Sequence, residues 1–189
     1  EYKATRQKTP EELIPQFDIL KKMLQLMGIA IYEIDGYEAD DILGTFARIS
    51  SEKDMDAYLV TGDRDALQLV SPRVRVVMTK KGISDVQVFD EDEIKQEYGL
   101  TPSQIIDLKA LMGDSSDNIP GVPGVGQKTA LKLLHEYHTV DGVLDNVQNI
   151  SGKKLKENLI QYRDQALLSK KLATIVQNAP VDLNIEDCC

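Results

Sequence analysis

The segment GYEADDILGTFARISSEKDMDAYLVTGDRD, residues 36–65, carries an acidic cluster at each end and two apolar patterns between them. The first pattern has the spacing of one helix face, and it consists of Ile42, Leu43, Phe46 and Ile49. The second, AYLVT at residues 57–61, is typical of a buried strand, and residues 30–34 predict another strand before the segment. Strand, helix and strand in this order predict a parallel βαβ unit, whose loops meet at the sheet edge where α/β proteins bind ligands.

The N-terminal sequence predicts a further helix. Thr9 is suited to the N-cap, Pro10 to the first helical position, and Glu12 to the last position of a capping box. Gly28 predicts the end of this helix, because glycine readily adopts the left-handed conformation that ends helices.

Two strand-like runs follow the acidic segment, at residues 73–79 and 83–89, and they flank the turn Lys80-Lys81-Gly82. This arrangement predicts a β-hairpin. The remaining sequence predicts only helices. We therefore expect an α/β core over residues 1–100 and a helical subdomain over residues 101–189.

Composition restricts the class of protein. The chain has 189 residues, of which 42% are hydrophobic, which is enough to bury a sizeable core. No apolar run is long enough to span a bilayer, and the first residues lack the apolar stretch of a secretory signal, so we expect a cytoplasmic protein without a membrane partner. Cys188 and Cys189 match no metal-ligand spacing and are interpreted as a tail.

The formal net charge of -9 argues at first against a nucleic-acid partner, because phosphate binding needs local positive charge. Net charge does not show where the charges lie, however, so basic patches on an acidic body remain possible. The basic residues cluster at Lys3, Arg6 and Lys8, at Lys80 and Lys81, at Lys128 and Lys132, and at Lys153, Lys154 and Lys156.

Acidic residues form three clusters, which follow predicted strands or lie at helix ends. They are Glu38, Asp40 and Asp41, then Asp63 and Asp65, then Asp114 and Asp117. Each cluster alone is compatible with an ordinary helix cap or turn. Considered together, they suggest a site, because the predicted topology brings the first two clusters to the same sheet edge.

Carboxylates crowded at one edge repel one another unless a cation lies between them. Glu38 and Asp41 are three residues apart and share one helix face. A ligand set of oxygens without His or Cys favours Mg²⁺ or Mn²⁺. Two such ions, about 3.5 to 4 Å apart, are suited to phosphodiester hydrolysis.

The glycine-rich segment GVPGVGQKTALKLL, residues 121–134, predicts a turn that opens into a helix. Gly124 and Gly126 have access to backbone angles closed to other residues, which leaves amide groups free to bind an anion beside Lys128. Such a site would hold a phosphate without recognising bases. The alternative is a plain turn between helices, and the spacing matches neither nucleotide-binding fingerprint.

Four motifs in this order resemble the 5′ nuclease domains of bacterial DNA polymerase I, within the flap-endonuclease superfamily: YKATRQKTPEE, GYEADD, TGDRD and GDSSDNIPGVPGVGQKTA. The resemblance covers essentially the whole chain. It implies a PIN-like α/β fold with a parallel sheet, two Mg²⁺ ions, and removal of 5′ flaps or RNA primers. It also implies a helix-hairpin-helix element that holds duplex DNA, often with a monovalent cation such as K⁺.

The resemblance assigns residues to these roles. The seven acidic residues match the family's metal-binding and catalytic clusters, and Lys3 and Arg6 match basic residues of the helical arch through which the 5′ end passes. The residues that match the DNA-binding hairpin are Gly121, Gly124, Gly126, Gln127, Lys128 and Thr129.

The chain departs from the family pattern at its start, because the family's first strand and its metal-binding Asp would lie upstream of Glu1. The fold is therefore expected to be N-terminally truncated, and the chain is expected to bind flap DNA with little or no cleavage. The main hypothesis is a monomeric 5′ nuclease acting on flapped, nicked or branched DNA, fused to a polymerase in a longer protein. The rivals are a DNA-binding module without catalysis and, disfavoured by the glycine hairpin, a PIN-type ribonuclease.

Overall fold

The computed structural model describes residue 3, residues 8–81 and 85–184, and residue 186. The described elements comprise α-helices and three strands, with 3₁₀ helices at Arg64–Leu69 and Val147–Asn149. In chain order they are α1 (Ile14–Leu26), α2 (Ala39–Glu52), β1 (Ala57–Val60), β2 (Val74–Lys81), β3 (Asp85–Phe89), α3 (Glu91–Tyr98), α4 (Gln104–Met112), α5 (Gln127–Tyr137), α6 (Val140–Asp145), α7 (Lys153–Gln161) and α8 (Arg163–Ala173).

The sheet has the order β1-β2-β3. β1 and β2 are parallel, with Ala57 opposite Val74, and the chain passes between them through the 3₁₀ helix Arg64–Leu69. β2 and β3 are antiparallel, with Val76 opposite Phe89, which confirms the predicted hairpin strands. The predicted turn residue Gly82 lies outside the described residues.

Two predictions near the N-terminus are wrong. Residues 30–34 are not a strand, because no described strand lies beside them to complete their backbone hydrogen bonds. Helix α1 begins at Ile14 instead of after Thr9, and Pro15 occupies its first turn, where a missing N–H group costs little. Its end agrees with the prediction, since Gly28 has a φ of 73°.

The buried apolar side chains form two clusters. One is built on the sheet, with Leu67, Val76 and Phe89 among its members. The other is built on helices α4 to α8, with Leu134 and Leu159 fully buried. Tyr98 packs against both clusters, and α4 contributes residues to both, so the two clusters are in contact through Tyr98 and α4.

Helix α1 lies outside both clusters, because none of its residues is buried. Its exposed apolar side chains include Phe17, Ile19, Met23 and Leu26. No helix in the part of the chain that the structure describes is both long and apolar enough to cross a bilayer.

After α8, residues 174–179 have no regular secondary structure and return to the α/β half. They hydrogen-bond to α2 through Asp41, Thr45 and Arg48. We call residues 174–179 the C-terminal strap. It carries the last part of the described chain back to the acidic cluster at the start of α2.

Candidate metal centre and nucleic-acid interface

The first acidic cluster is positioned by the N-terminal turn of α2. Glu38 is the N-cap residue, and its backbone N–H donates to Asp41 Oδ2 over 3.0 Å. Asp41 Oδ1 accepts a second hydrogen bond, from the backbone N–H of Val176 in the strap, at 2.9 Å. Both oxygens of Asp41 are therefore engaged by backbone amides, which fixes the direction of its carboxylate.

Asp40 has a different environment from Asp41. Burial raises its pKa above the ordinary value, and the negative charge of Asp63 raises it further. The charges of Glu38 and Asp41 act in the same direction, while Lys3 opposes them. A carboxylate whose ionised form is disfavoured in this way gains from any cation that approaches it.

Five of the seven predicted acidic residues line one pocket of about 280 Å³. They are Glu38, Asp40, Asp41, Asp65 and Asp117. The end of α8 and the start of the strap, residues 171–176, form another wall of the pocket. Clusters up to 79 positions apart in the sequence, from Glu38 to Asp117, thus meet at one place.

The other two acidic residues are attached to this pocket indirectly. Asp63 is the N-cap of the 3₁₀ helix, where its side chain accepts from the backbone N–H of Asp65 at 2.9 Å, and its charge acts on Asp40. Asp114 is linked to Asp65 by Lys109, whose ammonium group contacts both carboxylates, with 2.5 Å to Asp114 Oδ2.

Lys109 also controls the ionisation of Asp114. Burial acts to raise the pKa of Asp114, but hydrogen bonds from Lys109 and Ser116 outweigh burial and lower the pKa from 3.8 to about 2. Asp114 is therefore fully ionised at neutral pH, and its charge is paired with Lys109.

The donor set fits an oxygen-preferring divalent cation, since five carboxylates line one pocket and Asp40 lacks a matching positive charge strong enough to lower its pKa. Among residue 3, residues 8–81 and 85–184, and residue 186, however, no group of three His, Cys, Asp or Glu side chains is arranged to hold an ion. Lysines contact two of the lining carboxylates, Lys3 on Glu38 and Lys109 on Asp65. A cation held by several carboxylates would therefore require these ammonium groups to move.

The glycine-rich segment forms a tight turn before α5. Gly124 has a φ of 79°, which favours glycine, as predicted. Gly126 has a φ of -94° and is extended, so the prediction of special backbone angles was wrong at that position. Gly126 is the N-cap of α5 and provides no side chain to cap the first amide groups, which leaves them suited to an anion.

The predicted DNA-binding residues do not all lie on the same surface. Gly124, Gly126, Gln127 and Lys128 are exposed, and Thr129 is half-buried. Gly121 is buried instead. Its N–H donates to Ser169 Oγ and its carbonyl accepts from Gln165. Glycine is required at this position, because the chain passes too close to Gly113 to leave space for a Cβ atom.

The two predicted arch residues lie far from this turn in sequence. Lys3 pairs with Glu38, and its backbone N–H donates to the carbonyl of Asp117 at 2.9 Å. Arg6 lies outside the described residues. The role of both residues in DNA binding stays a prediction.

Sequence reasoning did not identify Lys109 or the strap as parts of the site. Lys109 precedes Asp114 by five residues, at the end of a helix that points to the acidic loop, and this spacing was the available signal. The strap has no such signal, because its hydrogen bonds to α2 are made by backbone N–H and carbonyl groups.

Comparison with known proteins identifies the family. A family model described as the 5′-3′ exonuclease N-terminal resolvase-like domain matches residues 1–99, and one described as the 5′-3′ exonuclease C-terminal SAM fold matches residues 100–189. DNA polymerase I of Bacillus caldotenax is 52% identical over 99% of this chain. The chain spans 21% of the length of that relative.

Two solved structures of bacteriophage T5 proteins resemble the fold. The T5 5′-exonuclease with divalent metal ions (zinc) has a TM-score of 0.78 at 26% identity, covering 93% of this chain and 68% of its own. A variant of the T5 flap endonuclease, in a complex with DNA and metal ions, has a TM-score of 0.75 at 25% identity, covering 92% and 66%. The fold is thus the expected 5′ nuclease fold, and the chain belongs to the 5′-3′ exonuclease family.

Proposed function

We propose that the chain hydrolyses phosphodiester bonds of flapped, nicked or branched DNA and RNA primers from the 5′ side, with Mg²⁺ or Mn²⁺ held by its acidic pocket. The observation that carries this proposal is the meeting of Glu38, Asp40, Asp41, Asp65 and Asp117 around one pocket. The two T5 relatives contain metal ions, and one of them also contains DNA.

The carboxylates have separate tasks in this proposal. Glu38, Asp40, Asp65 and Asp117 would hold the ions, with Asp63 and Asp114 contributing negative charge from outside the pocket. When bound, the two ions would generate a nucleophilic hydroxide and stabilise the leaving oxygen. Lys109 would turn from Asp65 towards the DNA phosphate, because a phosphate oxygen can replace the carboxylate as its partner.

The hairpin would hold duplex DNA through its backbone. The uncapped amides at the start of α5 and the exposed Lys128 suit a phosphate group, which carries no sequence information. A K⁺ ion at this turn, a monomeric state and fusion to a polymerase also belong to the proposal. A cytoplasmic location also belongs to the proposal. The division into residues 1–100 and 101–189 also belongs to the proposal, with Ile105 and Ile175 of the second part packing into the sheet cluster of the first.

The test is incubation of a 5′-labelled flap duplex with the chain in Mg²⁺, with the T5 5′-exonuclease run in parallel. We expect binding of the flap duplex and only slow shortening of the labelled strand, far slower than with the T5 enzyme. The shortening should depend on the metal and stop in EDTA. Asp40→Asn should lower the cutting rate at least about a hundredfold, because it removes a charged ligand of the ions.

The matched control is Asp54→Asn, which makes the same change of charge at a carboxylate that is 85% exposed and pairs with Arg73. Equal rates for wild type and Asp54→Asn, with loss in Asp40→Asn, are the expected result. Equal loss in both variants would contradict a specific role for the acidic pocket.

A DNA-binding module without catalysis is the second candidate. It is favoured by the lysines on Glu38 and Asp65 and by the absence, among the described residues, of three side chains arranged to hold an ion. The same assay separates the two candidates. Binding of the flap duplex without any shortening of the labelled strand in Mg²⁺ or Mn²⁺ would favour the binding module.

A further inference from the structure

The C-terminal strap is held by buried polar side chains that lie outside the acidic pocket. Gln68, on the 3₁₀ helix, is 8% exposed and makes two hydrogen bonds of 2.9 Å. Its amide donates to the carbonyl of Ala173, and its carbonyl accepts from the N–H of Ile175. A glutamine is needed for this pair of contacts, since one side chain must both donate and accept.

Thr45 makes the corresponding contact from α2 and is 1% exposed. Its hydroxyl donates to the carbonyl of Asp41 at 2.8 Å and accepts from the N–H of Ala179 at 3.0 Å. Gly44 allows the strap to lie against the helix, because a Cβ atom there would be 2.8 Å from Ile175 Cγ2.

These contacts connect three parts of the pocket. The strap binds α2 through Thr45 and Asp41, binds the 3₁₀ helix that carries Asp65 through Gln68, and contributes residues 174–176 to the pocket wall. The strap therefore bridges the acidic start of α2 and the 3₁₀ helix, although it has no acidic ligand of its own.

We propose that the strap is the positioning element of the acidic pocket, and that Thr45 and Gln68 are positioning residues for metal binding. Asp41 is also a positioning residue. Both of its carboxylate oxygens accept hydrogen bonds from backbone N–H groups, and these bonds orient the strap and the first turn of α2. The ions would be held chiefly by the other carboxylates. This inference rests on the proposed metal-dependent function.

The test compares Thr45→Val, which keeps the shape and removes both hydrogen bonds, with Thr45→Ser, which restores the hydroxyl. Mn²⁺ binding is measured by the electron paramagnetic resonance signal of the free ion. We expect Thr45→Val to raise the Mn²⁺ dissociation constant about tenfold, the lower end of the effect of losing an outer-shell partner, and Thr45→Ser to bind as wild type does.

Hydrogen exchange provides a second measurement, independent of the metal. The N–H groups of Ile175, Val176 and Ala179 should exchange slowly in the wild type and faster in Thr45→Val, with protection restored in Thr45→Ser. Gln68→Met is the second variant and removes the two hydrogen bonds of Gln68 to residues 173 and 175. If Thr45→Val does not fold, the Mn²⁺ binding of Gln68→Met tests the positioning role. Ser50→Ala, another buried hydroxyl on α2, is the matched control and should bind Mn²⁺ normally.

The outcomes separate the inference from the proposed function. Normal Mn²⁺ binding by Thr45→Val and Gln68→Met would overturn the positioning role alone, whether or not the strap exchanges faster. Equal loss in Ser50→Ala would also overturn it, because the effect would then follow general destabilisation. Failure of the wild type to bind Mn²⁺ would overturn the proposed metal-dependent function, and the inference with it.

Discussion

Lys109 is the residue whose positive charge and hydrogen bond keep Asp114 ionised. Its side chain is 14% exposed and contacts Asp65 and Asp114, which are 11% and 19% exposed. Lys109→Met would leave these two charges without their counter-ion. We expect the free energy of unfolding at pH 7 to fall by about 2 to 3 kcal/mol, less than for a fully buried pair because the group is partly solvated.

The same variant should shift an ionisation. Because the pKa of Asp114 is about 2 in the folded chain and 3.8 ordinarily, its stabilising effect is present above pH 3.8 and is lost as pH falls through about 2. Lys109→Met should raise the pKa towards 3.8, measured by carboxyl-carbon NMR. Lys22→Met on the exposed helix α1 is the control. An unchanged pKa in Lys109→Met would contradict the assigned cause.

Residue identity predicted seven carboxylates for one site, and five of them line the same pocket, but it did not show which of them are available. The pattern of Glu38 and Asp41 on one helix face indicated two equivalent ligands. In the structure, Asp41 is bound by two backbone N–H groups, while Asp40 is the carboxylate whose pKa is raised. This difference depends on the burial of Asp40, on the charge of Asp63 and on the N–H group of Val176, and the last two are distant in sequence from the helix turn.

At the scale of elements, the hairpin before α5 gives a prediction about DNA binding. Replacing the exposed Lys128 with Ala should weaken binding to all duplex sequences alike and reduce the slope of log affinity against log salt by about one, because one phosphate contact is lost. Fluorescence anisotropy with two unrelated flap sequences measures both effects. Lys53→Ala, at the far end of α2 from Asp41, is the control.

A loss on only one of the two sequences would indicate base recognition and would count against the hairpin as a phosphate site. An unchanged salt slope, with weaker binding, would indicate that Lys128 acts through the fold of the turn. Its exposed position in the first turn of α5 argues for a direct phosphate contact.

Elements were predictable where the signal was local. The hairpin strands and the glycine end of α1 follow from short-range patterns. The strand at residues 30–34 was not predictable in this way, because a strand exists only with a partner and the apolar pattern is the same with or without one. The start of α1 failed similarly, since both Thr9 and Pro15 fit a helix beginning.

For the whole molecule, the contact of the two buried clusters through Tyr98 and α4 predicts one cooperative unfolding transition. Leu67→Ala in the sheet cluster and Leu134→Ala in the helical cluster each remove a fully buried side chain. Each should cost about 3 kcal/mol and lower the Tm by about 6 to 12 °C. Calorimetry should detect one shifted peak in both variants. Two peaks, each moved by only one variant, would show independent halves.

The fold class and the order of the two halves were predictable. The hydrophobic periodicity along the chain changes from a mixture of strand and helix patterns to helix patterns alone, and this change indicates an α/β half followed by a helical half. The assembly of the site was not. It needs long-range backbone contacts between α2, the 3₁₀ helix and the strap, and backbone N–H groups leave no mark in side-chain patterns.

The strap is synthesised long after the acidic turn that it contacts. The N–H group that fixes Asp41 belongs to a residue 135 positions later in the chain. A ribosome that adds about 5 to 20 residues per second needs roughly 7 to 27 s to cover that distance, after the acidic turn has already been made. The nascent chain therefore carries its cluster of negative charge for many seconds without the last wall of the pocket, and the site is completed only after the strap has been translated.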